Sequence, residues 1–209
     1  MTAVIDLYVF VERNVFEADA AWLSALTTLA GMDVPGLGVQ VRTKSEARDR
    51  ALELARQAVD ATRGAPALVT LNGSSAEALE LGYAGVHWPE ATIPEVRQSG
   101  PLFRGASVHS VGACRRAEAA GAELVVAGTI FDAGSKPAAG EGVEKLRAIA
   151  GATALPVLAI GGVTPKRVGE CIAAGAAGVA VVSSVLRAPD MSAAVRELRE
   201  ALDDVKVHV

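Results

Sequence analysis

The chain has 209 residues, of which 51% are hydrophobic and 21% charged, with a formal net charge of −4. That balance supplies a large core and excludes a disordered chain. It also argues against broad binding to nucleic acid or to a membrane surface, so a local cluster of cations points to a small anion.

Short apolar runs alternate with amphipathic stretches from end to end. Strands are expected at Ile5–Phe10, Gly38–Arg42, Ala67–Leu71, Gly85–His87, Gly105–Val108, Leu124–Ala127, Val157–Ile160 and Gly178–Val182. Between them the periodicity predicts helices at Ser45–Thr62, Ser74–Leu81, Gly112–Ala120, Val143–Ile149, Pro165–Ala174 and Ser192–Leu202, with weaker signals at Glu17–Leu29 and Ile93–Gln98. The runs "AELVVAG" and "AGVAVVSS" are apolar throughout, as expected of parallel strands covered on both faces. Gly82, Gly121 and Gly175 follow helical stretches and suit the left-handed position that ends a helix. Eight such units imply an α/β fold, a single (β/α)8 TIM barrel over residues 1–209, with its ligand site at the C-terminal ends of the strands. An open doubly wound sheet is the alternative, but it does not need eight units.

No basic start precedes an apolar stretch, so no signal peptide is expected and the cytoplasm is the default compartment. The uncharged segment Cys171–Leu186 is too short to span a bilayer. Cys114 and Cys171 lack metal-ligand spacing and are expected to pack as small hydrophobes. No serine-type triad, metal cluster or dinucleotide fingerprint is present.

The residues at the strand ends form a non-random polar set. Strand two ends "GVQVRTK", which puts Gln40 and Arg42 on one face and Lys44 just beyond. Strand three ends in Asn72, and strand four in His87 and Trp88. Strand five ends "SVHS", with Ser107 and His109 on one face. Strand six ends at Thr129 and leads to Lys136. Taken singly, each has a plain structural alternative: a solvated lysine, a buried structural histidine, an asparagine capping the next helix. Taken together, Arg42, Lys44 and Lys136 converge on one mouth of an acidic protein.

The stretch "PVLAIGGVTPKRV" is an apolar strand, the pair Gly161-Gly162, then Thr-Pro opening a helix. Glycines let a ligand oxygen approach backbone N–H groups. Ser183 and Ser184, after strand eight, complete a phosphate site of the kind such barrels place after strands seven and eight.

The motifs "VQVRTK", "GVHWP", "GASVHS", "GTIFDAGSK", "LPVLAIGGVTP" and "GAAGVAVVSSV", in this order over residues 38–187, resemble the thiamine phosphate synthase and TenI family. The resemblance implies a (β/α)8 barrel of thiamine biosynthesis that binds a small phosphorylated thiazole, with no nucleic-acid or membrane partner and with a homodimer left open. One branch joins a pyrimidine diphosphate to a thiazole phosphate with magnesium. The other, thiazole tautomerase, aromatises a thiazole phosphate carboxylate by moving a proton.

Gln40, Arg42 and Lys44 match the synthase "Q-x-R-x-K" pattern, and Lys136 matches the family's loop lysine. Where that branch has Asn-Asp after strand three, this chain has Asn72-Gly73; where it has Gly-Gln-x-Asp, this chain has Trp88-Pro89-Glu90-Ala91-Thr92, in which Glu90 is only a candidate for a displaced substitute. The two magnesium aspartates are therefore missing. The tautomerase branch shares Asn72-Gly73, Pro89 and "SVHS", but its proton-shuttling histidine is Thr129 here. The expectation is thus a TenI-like tautomerase, an isomerase without cofactor, with His109, Thr129 and Lys136 as catalytic residues. Gln40, Arg42, Lys44, Asn72, His87, Ser107, Gly161, Gly162, Ser183 and Ser184 would bind the substrate and its phosphate. The alternatives are a thiamine phosphate synthase, a transferase that would need magnesium, a non-catalytic thiazole phosphate-binding regulator, and a different phosphate-sugar isomerase.

Overall fold

A computed structural model describes residues 5–131 and 142–206. Eight parallel strands close into a barrel in chain order, with the first paired to the eighth. They are β1 Leu7–Glu12, β2 Leu37–Arg42, β3 Leu68–Asn72, β4 Gly85–Trp88, β5 Phe103–Val108, β6 Leu124–Gly128, β7 Val157–Ile160 and β8 Gly178–Val181. The helices are α1 Asp19–Ala30, α2 Arg48–Ala61, α3 Ser75–Leu81, α4 Val111–Ala120, α5 Gly142–Ala150, α6 Val168–Ala173, α7 Ser183–Leu186 and α8 Met191–Lys206. The expected α/β barrel is the fold observed.

Strand alternation divides the interior into two cores. Leu7, Val9 and Val11, with Val39, Val125 and Val179, face outward and join Leu26, Leu54 and Leu198 of the surrounding helices. Tyr8, Phe10, Phe103, Leu124, Val126, Leu158 and Ala180 face inward and fill the barrel. Helix ends follow local chemistry. The Ser74 hydroxyl accepts from the Glu77 N–H, and the Glu77 carboxylate accepts from the Ser74 N–H, a reciprocal cap on α3. Ser110 caps α4 in the same sense. Gly82 and Gly121 end their helices at φ 82° and 92°, where a side chain would be strained.

Several boundaries differ from expectation. β1 runs two residues further, because its ladder with β2 continues to the pair Glu12 and Arg42; this carries Glu12 to the mouth. The weak helix at Ile93–Gln98 is absent, and a 310 turn at Glu90–Thr92 stands after Pro89 instead. The helix expected from Pro165 is a 310 turn, Pro165–Arg167, followed by α6. The end of the last strand breaks into α7, so Ser183 and Ser184 are helical. Both cysteines are free and buried. Among the described residues, no helix is long and apolar enough to cross a membrane.

Close approach of backbones requires glycine at one point of the closure. A Cβ on Gly178 would lie 2.0 Å from the Asp6 carbonyl oxygen, in the seam between β8 and β1. Gly169, in α6, has nothing nearer than 3.8 Å. Denaturant titration should show Gly178→Ala losing about 1–3 kcal/mol or more through overpacking. Gly169→Ala should gain roughly 0.5–1 kcal/mol of helix propensity.

Candidate functional site

The carboxyl ends of the strands surround a cavity of about 1030 Å³. Its wall includes Arg42, Lys44, Asn72, Ser107, His109, Thr129, Gly161, Gly162, Ser183 and Ser184. Ten of the residues singled out in the sequence thus share one space. A smaller cavity of about 550 Å³, containing Asp33 and Arg63, opens at the amino-terminal end of the strands. In this fold that end serves stability rather than chemistry. Lys136 lies outside the described residues.

Phe10, Val126, Ile160 and Ala180 give the large cavity an apolar floor. Gln40 and His87 are not on its wall; both are fully buried beneath it. Here the inward faces of β2 and β4 point into a ring of aromatic groups. Tyr8 and Phe10 meet the His87 imidazole edge-on, at 5.7 and 5.2 Å between centroids. The Tyr8 hydroxyl bonds Thr70 Oγ1, and burial pushes its pKa up. Gln40 lies beside that hydroxyl, yet neither of its amide atoms has a hydrogen bond of normal geometry.

His87 Nε2 lies 2.9 Å from Ser107 Oγ, while Nδ1 has no partner. A proton on Nε2 spares the molecule an unpaired buried N–H, so Nε2–H donates to Ser107. The Ser107 hydroxyl is then free to donate into the cavity. Burial, with a smaller contribution from the Arg42 charge, lowers the His87 pKa from 6.5 to about 3. The ring is neutral at physiological pH. Gly105 makes room for it: a Cβ there would sit 2.8 Å from Nδ1.

The rim is charged. Arg42 Nη1 meets Glu12 Oε1 at 2.8 Å, each about a quarter exposed. Lys44 is exposed beside it. On the other side of β1, Gly161 and Gly162 turn at φ 102° and 61°. The Ser184 hydroxyl donates to the Val163 carbonyl at 2.8 Å, tying the turn after β7 to α7. Ser184 is therefore committed through its side chain. Thr129 turns its methyl to the glycine turn: a Cβ on Gly161 would lie 2.3 Å from Thr129 Cγ2. Asn72 does not cap α3, a role taken by Ser74; its amide approaches the His87 carbonyl at 3.4 Å.

His109 is exposed and held by Glu90, whose Oε2 accepts from both the His109 backbone N–H and Nδ1, each at 2.7 Å. Glu90 Oε1 also lies 3.5 Å from Arg116. These partners bear on the magnesium that the synthase branch implies. The two carboxylates on the cavity wall, Glu12 and Glu90, are both committed to cationic or N–H groups. Asn72 offers one carbonyl oxygen and Gly73 offers no side chain. Among the described residues no group of three or more His, Cys, Asp or Glu converges. The donors described do not fit a carboxylate-held magnesium centre.

Sequence reading missed Asn14 and Arg187, which also line the cavity. Asn14 comes in through the two-residue extension of β1. Arg187 follows α7, a helix that no local periodicity announced.

The site is thus an apolar floor between a cationic rim and a glycine turn, set in the carboxyl-end mouth of a (β/α)8 barrel, the end that carries chemistry in this class of protein. Residues 7–185 match the TMP-TENI family, described as thiamine monophosphate synthase, and the chain belongs to that family. It is 37% identical over 208 residues to the thiamine-phosphate synthase of Methanoculleus marisnigri, covering 96% of this chain and 97% of that one. It is 40% identical over 174 residues to the bifunctional protein ThiM/ThiE of Symbiobacterium thermophilum, covering 80% of this chain but only 36% of that relative's length. The structure of thiamine phosphate pyrophosphorylase from Pyrococcus furiosus superposes with a TM-score of 0.74 at 28% identity, covering 96% of both chains.

These relatives overturn the expected tautomerase. Near-full-length similarity runs to a protein named thiamine-phosphate synthase and to a structure named thiamine phosphate pyrophosphorylase, and the expected isomerase is not what these relatives are named for. Thr129, which stands where the tautomerase branch has its proton-shuttling histidine, packs its methyl on a glycine and carries no group that titrates near neutrality.

The buried imidazole has a consequence for stability. The unfolded chain binds a proton near pH 6.5 and the folded chain only near pH 3, so stability is present above 6.5 and falls with pH below it. The expected loss through His87 is about 2 kcal/mol at pH 5. Denaturant titrations at pH 7 and 5 should show this loss largely absent in His87→Gln. The His87 ring resonances should not titrate between pH 8 and 5.

Proposed function

We propose that the protein is a thiamine-phosphate synthase, joining a pyrimidine diphosphate to a thiazole phosphate. The observation that carries the reading is the placement of cationic side chains and of a glycine turn at two ends of one apolar floor. Arg42 and Lys44 stand at the end of β2, and the Gly161-Gly162 turn with Ser183 stands at β7 and β8. Two phosphorylated heterocycles, one on each end, would bring their reacting atoms together over Phe10, Val126 and Ile160. The near-full-length relatives named as synthases support the same reading.

The bond from the pyrimidine methylene carbon to the diphosphate oxygen breaks, and its electron pair leaves with the diphosphate. The thiazole nitrogen lone pair forms the new bond to that carbon. The nitrogen becomes quaternary, so no proton is transferred and the site needs no base. Arg42 and Lys44 would take up charge on the leaving diphosphate. Arg42 shares its charge with Glu12, which also orients the guanidinium. Ser107, with its oxygen held by His87, would donate to a ring acceptor. Ser183 and the N–H groups of the glycine turn would hold the thiazole phosphate. Asn72 and the Glu90–His109 pair would shape the wall beside the diphosphate.

Incubation with the two substrates should give thiamine phosphate and one equivalent of diphosphate, separated by chromatography. Arg42→Met should raise KM for the pyrimidine diphosphate by roughly tenfold or more, the loss of one charge-assisted contact. Ser183→Ala should raise KM mainly for the thiazole phosphate. Absence of coupled product from the folded protein would overturn the assignment.

A further inference from the structure

Three consecutive carbonyls in the turn after β7 are each held by a different element. Gly161 O accepts from the Phe131 N–H at 3.0 Å. Gly162 O accepts from Arg167 Nη1 at 2.9 Å. Val163 O accepts from the Ser184 hydroxyl at 2.8 Å. In a planar trans peptide the carbonyl and the following N–H point in opposite directions. Pinning these carbonyls therefore fixes where the N–H groups of Gly162, Val163 and Thr164 point. Positive φ at Gly161 and Gly162 permits the fold-back of successive N–H groups that makes an anion-binding concavity. Gly161, Gly162 and Val163 all line the cavity.

Of the three, the Arg167 bond is the one made by a charged side chain, and Arg167 makes a second contact. Its guanidinium carbon lies 4.7 Å from the centroid of the Phe131 ring. A planar, permanently charged guanidinium both stacks on an aromatic face and donates in its own plane. Phe131 is thus tied to the turn twice: by its N–H to Gly161 O and by its ring to the side chain that holds Gly162 O. The same turn packs on Thr129. Arg167 itself is half-buried behind the turn and is not on the cavity wall.

We propose that Arg167 is a positioning residue for the thiazole phosphate: it clamps the Gly162 carbonyl from behind, with Phe131 as its platform, so that the Val163 N–H is presented to the phosphate. This rests on the thiazole phosphate occupying the β7 and β8 end of the mouth. Arg167 touches no ligand atom and acts through the Gly162–Val163 peptide. Losing the clamp leaves that peptide free to rotate and weakens phosphate binding without touching the diphosphate end.

The test compares the wild type with Arg167→Met, Arg167→Lys and Phe131→Leu, each confirmed folded by thermal unfolding. In steady-state coupling, Arg167→Met should raise KM for the thiazole phosphate roughly tenfold, with kcat and KM for the pyrimidine diphosphate within about twofold. Arg167→Lys, which keeps the charge, should recover part of the loss, and Phe131→Leu should show a smaller loss of the same kind. A purely structural role would instead lower kcat and raise both KM values together, and that pattern, or no change, overturns the proposal. Titration with inorganic phosphate followed by phosphorus NMR separates the two readings. If the wild type binds phosphate and Arg167→Met binds it at least several-fold more weakly, the clamp stands whether or not coupling occurs. If coupling occurs and phosphate binding is equal in the two, the clamp fails while the synthase stands. If the wild type does not bind phosphate, the anion site and the clamp fall together.

Discussion

The closed parallel ladder is the constraint on which the rest depends. A parallel strand satisfies its hydrogen bonds only with a neighbour on each side, and closing β8 onto β1 leaves no open edge. Each connection crosses back over the barrel before the next strand begins, so every strand runs the same way and all eight loops at the carboxyl ends meet at one rim. Closure also forces side chains to alternate between an outer core packed by helices and an inner plug. Gly178, pressed on the Asp6 carbonyl, marks how closely the last strand approaches the first.

The inner plug explains the character of the site. It is largely apolar, from Leu124 and Leu158 to Phe10 and Val126 on the cavity floor, and it buries the polar groups Gln40, Thr70 and His87. Polar groups at that depth are costly unless bonded or neutral. Tyr8 and Thr70 bond each other, and His87 bonds Ser107 and gives up its proton. A neutral imidazole passing its one N–H to a serine orients a hydroxyl at the cavity wall. It does not make a base. The coupling proposed for this site, through a nitrogen lone pair, has no need of one.

Charge is handled differently at the rim. An acidic chain holds Arg42 by Glu12, and Glu90 by His109 and Arg116, so both wall carboxylates are committed to donors on the protein. What remains for a ligand is the rest of the Arg42 guanidinium, the exposed Lys44 and Arg187, and the N–H groups of the glycine turn. The turn owes its shape to Phe131 and Ser184, which come from the ends of β6 and β8, and to Arg167, which folds back from just beyond the turn itself.

Strand and helix order were legible in the sequence because period-two and period-3.6 patterns are local, and so were Gly82 and Gly121, whose backbone positions need no side chain. The gathering of Arg42, Asn72, Ser107, His109, Gly161 and Ser183 at one mouth was legible too, because strand ends in a barrel share a rim whatever their distance in the chain. Other features were not. The sequence motif put Gln40 and His87 among the ligand contacts, while inward alternation buries both beneath the floor. Glu12 reaches the mouth only because the ladder with β2 runs two residues past the apolar run of β1. Arg187 arrives on a four-residue helix too short for any periodicity, and Arg167 meets Phe131 only after β6 and β7 pair. Sequence by itself determined the barrel, its family and which end carries chemistry, since these follow from patterns repeated along the chain. Which polar groups are buried, which carboxylates are committed and how the glycine turn is tied to β6 and α7 were decided by tertiary structure alone. Each of those depends on contacts between different strands and their loops, which only the pairing of the strands brings together.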